Sequence, residues 1–165
     1  MTKGRPGARH LCPVRIIDYR PEHHAAFKRI NVAWIAERFV VEDVDLEVLD
    51  HPRENILDPG GCILLAEEDD EVVGTVALLH SSPGVYQMVK MAVDKAWRGR
   101  GIGRLLGEAV IERARQLGAR RVMLYSNRAG AVEAIALYRS LGFVERPLPT
   151  KAYARADIYM QMDLH

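Results

Sequence analysis

Apolar and polar positions alternate along residues 14–20, and this period of two predicts a first strand. From Pro21 to Phe39, apolar and small side chains recur at helical spacing, and the proline suits a first helical turn. A weaker helical pattern over residues 41–57 ends at a loop signal, Asp-Pro-Gly-Gly, and predicts a short second helix. The polar, basic residues 1–13 that precede these elements predict a flexible N-terminal tail, so the folded domain is expected at residues 14–165.

The middle of the chain carries shorter apolar runs and then one long periodic segment. Residues 62–66 and 72–80 flank an acidic stretch, which predicts a β-hairpin with a charged turn at residues 67–71. Residues 85–93 predict another strand. Apolar side chains every three or four positions predict a helix over residues 102–117, which Gly118 ends.

The C-terminal part alternates strands and helices. Residues 121–126 predict a strand and residues 131–141 a helix. Residues 143–146 and 157–164 predict two closing strands, joined by a proline-bearing loop. The order β, α, α, β, β, β, α, β, α, β, β indicates one α/β domain.

Composition narrows the class of protein. With 165 residues, 48% hydrophobic and 27% charged, the chain fits one globular domain with a buried core. The net charge of +1 gives no overall attraction to nucleic acid or an anionic membrane. No apolar run reaches the ~20 residues of a membrane span, and the start lacks a signal-peptide core, so we expect a cytoplasmic protein. Two cysteines, Cys12 and Cys62, are too few for a disulfide framework, and the adjacent His23 and His24 make a poor metal pair, so no metal is expected.

The glycine-rich run RGRGIG at residues 98–103 lies between a predicted strand and a predicted helix. Glycines let backbone N–H groups approach a ligand, and a helix start adds unpaired donors and partial positive charge, a combination that binds phosphate oxygens. A Walker A loop is excluded because no Lys-Ser or Lys-Thr pair follows. A dinucleotide fingerprint would need glycine in place of Arg104 or Leu106. From the run alone, a plain turn between strand and helix stays an alternative.

The same run matches the [Gln/Arg]-x-x-Gly-x-[Gly/Ala] signature of the GNAT superfamily of N-acetyltransferases. Downstream, YSNR and then AIALYRSLGFVE at residues 134–145 resemble that family's fifth strand and fourth helix. The resemblance covers roughly residues 14–164 and is most specific over residues 85–145. It implies the GNAT fold: a central mixed, mostly antiparallel sheet of six to seven strands, flanked by four helices, with strands four and five splayed.

The resemblance also implies acetyl-CoA as cosubstrate. In the family, amides of the glycine loop hold the pyrophosphate, backbone groups of strand four pair with the pantetheine arm, and here Asn127 can hydrogen-bond a pantetheine amide. Arg128 could add positive charge near the phosphates. The implied cofactor-binding residues are Met91, Ala92, Val93, Arg98, Gly99, Arg100, Gly101, Ile102, Gly103, Arg104 and Asn127.

Acetyl transfer to an amine needs a proton for the leaving thiolate and a donor for the oxyanion. By periodicity Tyr138 is a core tyrosine, but the resemblance assigns it the role of general acid. A tyrosine pKa of ~10 lies above a thiol pKa of ~8.5, so Tyr138 stays protonated at neutral pH. For the oxyanion, the resemblance implies a backbone N–H of Met91 or Ala92 beside a β-bulge.

The general base departs from the family's pattern. Many relatives carry a glutamate early in strand four, and the aligned position here is Gln87, which cannot accept a proton at neutral pH. Three alternatives stay open: another base, with Glu42, Glu47 or Asp157 as candidates; water aided by desolvation; or loss of activity.

The predicted function is that of an N-acetyltransferase that passes acetyl directly from acetyl-CoA to a primary amine of a small molecule, peptide or protein. Its partners would be acetyl-CoA and that amine, with no nucleic acid and no membrane, and a homodimer is left open. The rivals are a noncatalytic acetyl-CoA-binding or sensing domain and a structural protein in which the glycine run is only a turn. The candidate acceptor-binding residues are Trp34, Phe39, Gln87, Tyr153 and Asp157, together with Arg155.

Overall fold

A computed structural model describes residues 14–149 and 154–164, so the predicted tail at residues 1–13 lies outside the described part. The described residues form a seven-stranded sheet and four α-helices. The strands are β1 (Arg15–Asp18), β2 (Cys62–Glu68), β3 (Glu71–Ser82), β4 (Val85–Val93), β5 (Arg121–Ser126), β6 (Val144–Arg146) and β7 (Ile158–Asp163). The helices are α1 (His24–Ala36), α2 (Asp43–Asp50), α3 (Ile102–Gln116) and α4 (Val132–Leu141).

The sheet is mixed, with strand order β1-β2-β3-β4-β5-β7-β6. The β4–β5 pair is parallel, and the other neighbouring strands are antiparallel. β4 pairs with β5 only where Val85–Gln87 face Arg121–Met123, after which β4 pairs with β3 alone. The two strands therefore splay into an open V. This confirms the predicted mixed, mostly antiparallel sheet with strands four and five apart.

Alternation along the strands divides the core into two layers. On β2, Cys62, Leu64 and Ala66 pack with buried residues of α3 and α4. The intervening Ile63 and Leu65 pack with α1 and α2 on the opposite face. The central strands are buried on both faces, which explains why their sequences are nearly continuous apolar runs. No helix in the described ranges has the length and apolar content to cross a membrane.

Several element boundaries differ from the sequence-based expectation, and two of these differences have a clear local cause. The segment predicted as one helix over residues 41–57 is α2 followed by a separate π-helical turn, Arg53–Leu57, because Pro52 has no N–H to continue the first helix. The turn of the β2–β3 hairpin is also tighter than predicted. Only Asp69 and Asp70 separate the strands, with φ of 47° and 63°, the left-handed values that a two-residue hairpin turn requires.

Candidate active site

Two cavities meet inside the V between β4 and β5. One, of about 340 Å³, is lined by the glycine-rich loop and the start of α4, and we call it the glycine-loop cavity. The other, of about 440 Å³, is lined by α2, the middle of β4 and Tyr138, and we call it the Tyr138 cavity. Trp34, Met91 and Ala131 line both. A molecule that spans the V can therefore touch both cavities at Met91.

The glycine-loop cavity has the features of an anion site. Gly99 and Gly101 have φ of 77° and 78°, a conformation that favours glycine, and no atom lies within 4 Å of where a Cβ would stand. The first bond of α3 runs from the Leu105 N–H to the Gly101 carbonyl at 3.1 Å. The amides of Ile102 and Gly103, which line the cavity, therefore precede any intrahelical acceptor and add to the helix dipole.

Arg98 lines this cavity, but its guanidinium is already engaged. Its Nε donates to the Val93 carbonyl at 3.1 Å, and its terminal nitrogens donate to the Glu37 carboxylate at 2.8 and 3.1 Å. The same hydrogen bonds lower the pKa of the Glu37 carboxyl group. Arg98 thus ties the loop to α1 as well as bringing charge to the cavity.

Two other arginines of the loop point to different partners. The Arg100 guanidinium lies 4.6 Å from the centre of the Trp97 ring, and an Arg104 terminal nitrogen donates to the Ser140 hydroxyl at 2.6 Å. Neither arginine lines either cavity. The backbone of the loop, more than these side chains, is placed to meet a ligand.

A β-bulge shapes β4 at the point where the cavities meet. Ala92 pairs with Thr75 and Val89 with Ala77, so Lys90 and Met91 together oppose one residue of β3. Lys90 has φ of 56°, which is uncommon for a residue with a side chain. Met91 therefore lies within a bulge and lines both cavities.

A buried hydrogen-bond chain holds this bulge. Asn31 and Thr75 are 3% and 0% exposed. The Asn31 amide donates to the Phe27 carbonyl at 2.9 Å and to the Thr75 hydroxyl at 3.0 Å, and that hydroxyl donates to the Lys90 carbonyl at 2.7 Å. Helix α1, strand β3 and the bulge are thereby fixed to one another. Sequence reasoning missed this chain, although a polar Asn31 one turn after Phe27 on an apolar face was a usable signal.

Tyr138 lies on α4 and lines the cavity named after it. Its side chain packs edge-on against Phe143, with ring centres 6.0 Å apart, and only 8% of the residue is exposed. Burial raises the pKa of the Tyr138 hydroxyl above its ordinary value, so the group is protonated at neutral pH. No residue of the described ranges hydrogen-bonds that hydroxyl, which leaves it available to a ligand.

Gln87 occupies the vertex of the V. It is the last residue of β4 with a partner on β5, Met123, and its buried side chain lines the Tyr138 cavity. Of the three acids considered as alternative bases, only Glu42 lines that cavity. Glu47 lies outside both cavities. Asp157 also lies outside them, and its carboxylate accepts a hydrogen bond from a loop amide at 2.8 Å.

Asn127 lines the Tyr138 cavity, but both ends of its amide hold loops in place. Its Nδ2 donates to the Arg155 carbonyl at 2.8 Å, and its Oδ1 accepts from the Gly130 N–H at 2.8 Å. The first bond joins the loop after β5 to the segment before β7, and the second closes a turn within that loop. Arg128, on the same loop, ion-pairs with Glu145 and is not among the residues lining either cavity.

Aromatic side chains form the wall on the α1 side. Trp34 and Phe39 have ring centres 6.4 Å apart, and both line the Tyr138 cavity. Their role in binding the acceptor stays a prediction. Tyr153, the other aromatic candidate, lies outside the described residues. The Phe39 ring also lies where a Cβ on Gly130 would stand, so that glycine is required for the close approach.

A charged cluster lies in the same cavity. The Asp45 carboxylate, 7% exposed, accepts two hydrogen bonds from Arg155 at 2.8 and 3.0 Å, and the Lys90 ammonium lies 3.9 Å away. Burial lowers the pKa of Lys90; the Asp45 charge opposes that effect and the Arg155 charge adds to it. Sequence reasoning named only Arg155 here. Lys90, the one cation within the apolar strand β4, was the signal available.

Clustered metal ligands and a reactive thiol are both lacking among residues 14–149 and 154–164. These residues contain no group of three or more His, Cys, Asp or Glu side chains that could hold a metal ion. The buried thiol of Cys62 lies on β2 outside both cavities, and burial raises its pKa, which disfavours the nucleophilic thiolate. Cys12 lies outside the described residues.

Known proteins resemble this chain in sequence and in structure. Residues 25–143 match the sequence model of the acetyltransferase (GNAT) family. N-acetylaspartate synthetase of Rattus norvegicus is 40% identical over 86 residues, which make up 52% of this chain and 28% of that relative. The matched segments thus span well under two thirds of the curated relative's length.

Solved structures agree on the fold. A GNAT-family acetyltransferase from Staphylococcus aureus superposes with a TM-score of 0.83 at 22% identity, covering 92% of this chain and 99% of that one. A Bacillus subtilis acetyltransferase in complex with CoA gives 0.72 at 20% identity, with 92% and 99% covered. Since the family match covers most of the chain and includes the glycine loop and α4, this protein belongs to the GNAT family of acetyltransferases.

Proposed function

We propose that this protein binds acetyl-CoA across the V between β4 and β5 and transfers its acetyl group directly to a primary amine. The observation that carries the proposal is the meeting of the two cavities at Met91, with the glycine loop on one side and Tyr138 on the other. The cofactor and the acceptor would approach the same point from opposite sides.

The glycine-loop cavity would hold the cofactor. The amides from Gly99 to Arg104 supply donors for the pyrophosphate at the start of α3. Among the described residues, β4 has no strand partner on the β5 side beyond Gln87, so its backbone from Met91 to Val93 can pair with the extended pantetheine arm like an added strand. The bound CoA of the Bacillus subtilis relative supports this assignment through the shared fold.

The reaction forms a C–N bond and breaks a C–S bond. The neutral amine attacks the thioester carbonyl, and the Met91 N–H, aimed by the bulge, donates to the developing oxyanion. As the intermediate collapses, Tyr138 donates its proton to the leaving sulfur and CoA departs as the thiol. The proton lost by the amine passes to water, and water reprotonates Tyr138.

Gln87 sets the pH behaviour of this mechanism, because its amide cannot remove a proton from the incoming ammonium. An alkyl amine with a pKa of ~10.4 is neutral about once in 2,500 molecules at pH 7, which corresponds to about 4–5 kcal/mol. Part of this cost is recovered if the apolar walls lower the amine's pKa. Deprotonation then occurs through water or before the amine binds.

Gln87 also favours a second candidate function, a noncatalytic domain that binds acetyl-CoA as a sensor. Such a domain needs the glycine loop but no general base. Both candidates predict acetyl-CoA binding, and only the first predicts thiol release when an amine is added.

Calorimetry with acetyl-CoA on Gly101→Asp tests the cofactor site that both candidates share. The added carboxylate would occupy the open space in front of the loop and repel the pyrophosphate, so we expect binding to be lost. Gly118→Asp is the matched control, because Gly118 has a similar φ of 80° and equally open space but lies just after α3, away from the cavities. Unchanged acetyl-CoA affinity in folded Gly101→Asp would overturn the assignment.

A further inference from the structure

The charged cluster of Asp45, Lys90 and Arg155 contains more positive than negative charge. Asp45 already accepts two hydrogen bonds from Arg155 and one from the Glu42 N–H at 2.9 Å. The Lys90 ammonium, at 3.9 Å from Asp45, is beyond hydrogen-bond distance. Two cations therefore share one buried carboxylate, which already accepts three hydrogen bonds.

The spare charge is accessible from the Tyr138 cavity. Within the described ranges no fully buried side-chain nitrogen or oxygen lacks a hydrogen-bond partner. Lys90 makes no side-chain hydrogen bond there, so its ammonium nitrogen is accessible to solvent, and the residue lines the Tyr138 cavity. Glu42, the other acid lining the cavity, is exposed and forms no ion pair with either cation in the described part of the chain.

A mostly desolvated ammonium is stabilised strongly by a carboxylate and poorly by water alone. Side chains such as Phe39, Val48 and Leu79 give the cavity apolar walls that suit an aliphatic stem. A second ammonium, as in a diamine or polyamine, would be repelled by Lys90 and Arg155. A neutral acceptor would leave the spare charge without a partner.

We propose that the acceptor is an amino carboxylic acid whose carboxylate binds the Lys90 ammonium, with Arg155 adding its charge beside it. The amine then lies at the other end of the molecule, near Met91 and Tyr138, where the two cavities meet. This inference rests on the proposed function and specifies its substrate class. The carboxylate would fix the direction in which the acceptor enters the cavity.

The test compares matched acceptors on the full chain. Amino acids of the series H₂N–(CH₂)ₙ–COO⁻, the corresponding primary amides and the corresponding diamines are assayed for CoA release at saturating acetyl-CoA. We expect one or more of the acids to exceed its amide and its diamine in kcat/KM. At n = 1 the comparison of acid with amide is biased against the expected result. The amine of an α-amino amide has a lower pKa than the amine of the amino acid, so it is more often neutral and ready to react.

Lys90→Met then identifies the residue responsible. Methionine has a similar aliphatic stem and must adopt the same left-handed backbone conformation as lysine, so the substitution removes only the charge. We expect KM for the preferred acid to rise by about 10- to 150-fold, the range for a hydrogen bond to a charged group, with little change for its amide. Lys90→Arg should keep the preference, and Lys28→Met, which removes a half-buried lysine that pairs with Asp50 and lines neither cavity, should change nothing.

Two results would overturn the inference: amides or diamines that match the acids, or a preference for acids that survives in Lys90→Met. If no amine of any class is acetylated while acetyl-CoA binds, calorimetry of the acids and their amides on the CoA-loaded protein decides the matter instead. Binding of an acid that Lys90→Met abolishes supports the inference even if the transfer reaction fails. Equal binding of acid and amide rejects it.

Discussion

Thr75→Val tests the hydrogen-bond chain that holds the bulge of β4. Valine has nearly the same shape as threonine, so the substitution removes the hydroxyl without opening a cavity. It leaves the Lys90 carbonyl without its donor and one hydrogen of the Asn31 amide without its acceptor. Both Asn31 and Thr75 are buried, so water cannot easily replace the lost partners.

The size of the effect follows from those two orphaned groups. Each buried polar group left without a partner costs about 1–3 kcal/mol, and the extra valine methyl recovers about 1 kcal/mol. We therefore expect the free energy of unfolding to fall by about 1–5 kcal/mol. In a chain of this size, that loss lowers Tm by roughly 2–20 °C.

Urea and thermal unfolding measure the stability change, and Thr75→Ser is the control. Serine keeps the hydroxyl and loses one methyl group, at a cost of about 1 kcal/mol. The valine variant should therefore be less stable than the serine variant although valine is the more apolar residue. Its kcat should also fall while acetyl-CoA affinity is kept, because the bulge aims the Met91 amide. If the Thr75→Val variant proves as stable as the Thr75→Ser variant, the hydrogen-bond chain does not hold the bulge.

Two further predictions concern the chemistry. Tyr138→Phe keeps the buried ring and removes the proton donor, so kcat should fall about 10- to 10³-fold with acetyl-CoA affinity nearly unchanged, and equal kcat values would make Tyr138 a core residue only. For the wild type, kcat/KM should rise with pH toward the pKa of the amine, because Gln87 binds no proton. Gln87→Glu should raise activity at pH 7 or shift the pH profile of kcat/KM to lower pH. If the substitution has no effect and the wild-type profile already shows a group that titrates near neutrality, the general base would be Glu42 instead.

The fold could largely be predicted because its signals are local. Helical spacing over residues 102–117, with the glycine run before it and Gly118 after it, specified α3 nearly to the residue. The error at residues 41–57 arose because one proline ended a helix inside an otherwise helical pattern. The glycine loop could also be predicted from local signals, since its donors come from consecutive residues.

The acceptor side could not be predicted in this way, because its contacts join residues far apart in the chain. Asp45 and Arg155 are 110 residues apart, and Asn31 and Thr75 are 44 apart. The spacing of apolar and polar residues along the chain does not indicate such pairs. From the sequence alone, Lys90 is an ordinary strand residue. In the structure it lies in the bulge, near Asp45 of α2 and Arg155 of the segment before β7.

The central claim is direct acetyl transfer from acetyl-CoA to a primary amine, and one measurement tests it most directly. The wild-type protein is incubated with acetyl-CoA and the amine panel, and free thiol and N-acetyl product are quantified together, by colorimetry and mass spectrometry. We expect one N-acetylated amine for each CoA thiol released, and no acetylated protein intermediate. Tight acetyl-CoA binding with no N-acetyl product from any amine, or an acetyl group found on the protein itself, would contradict it.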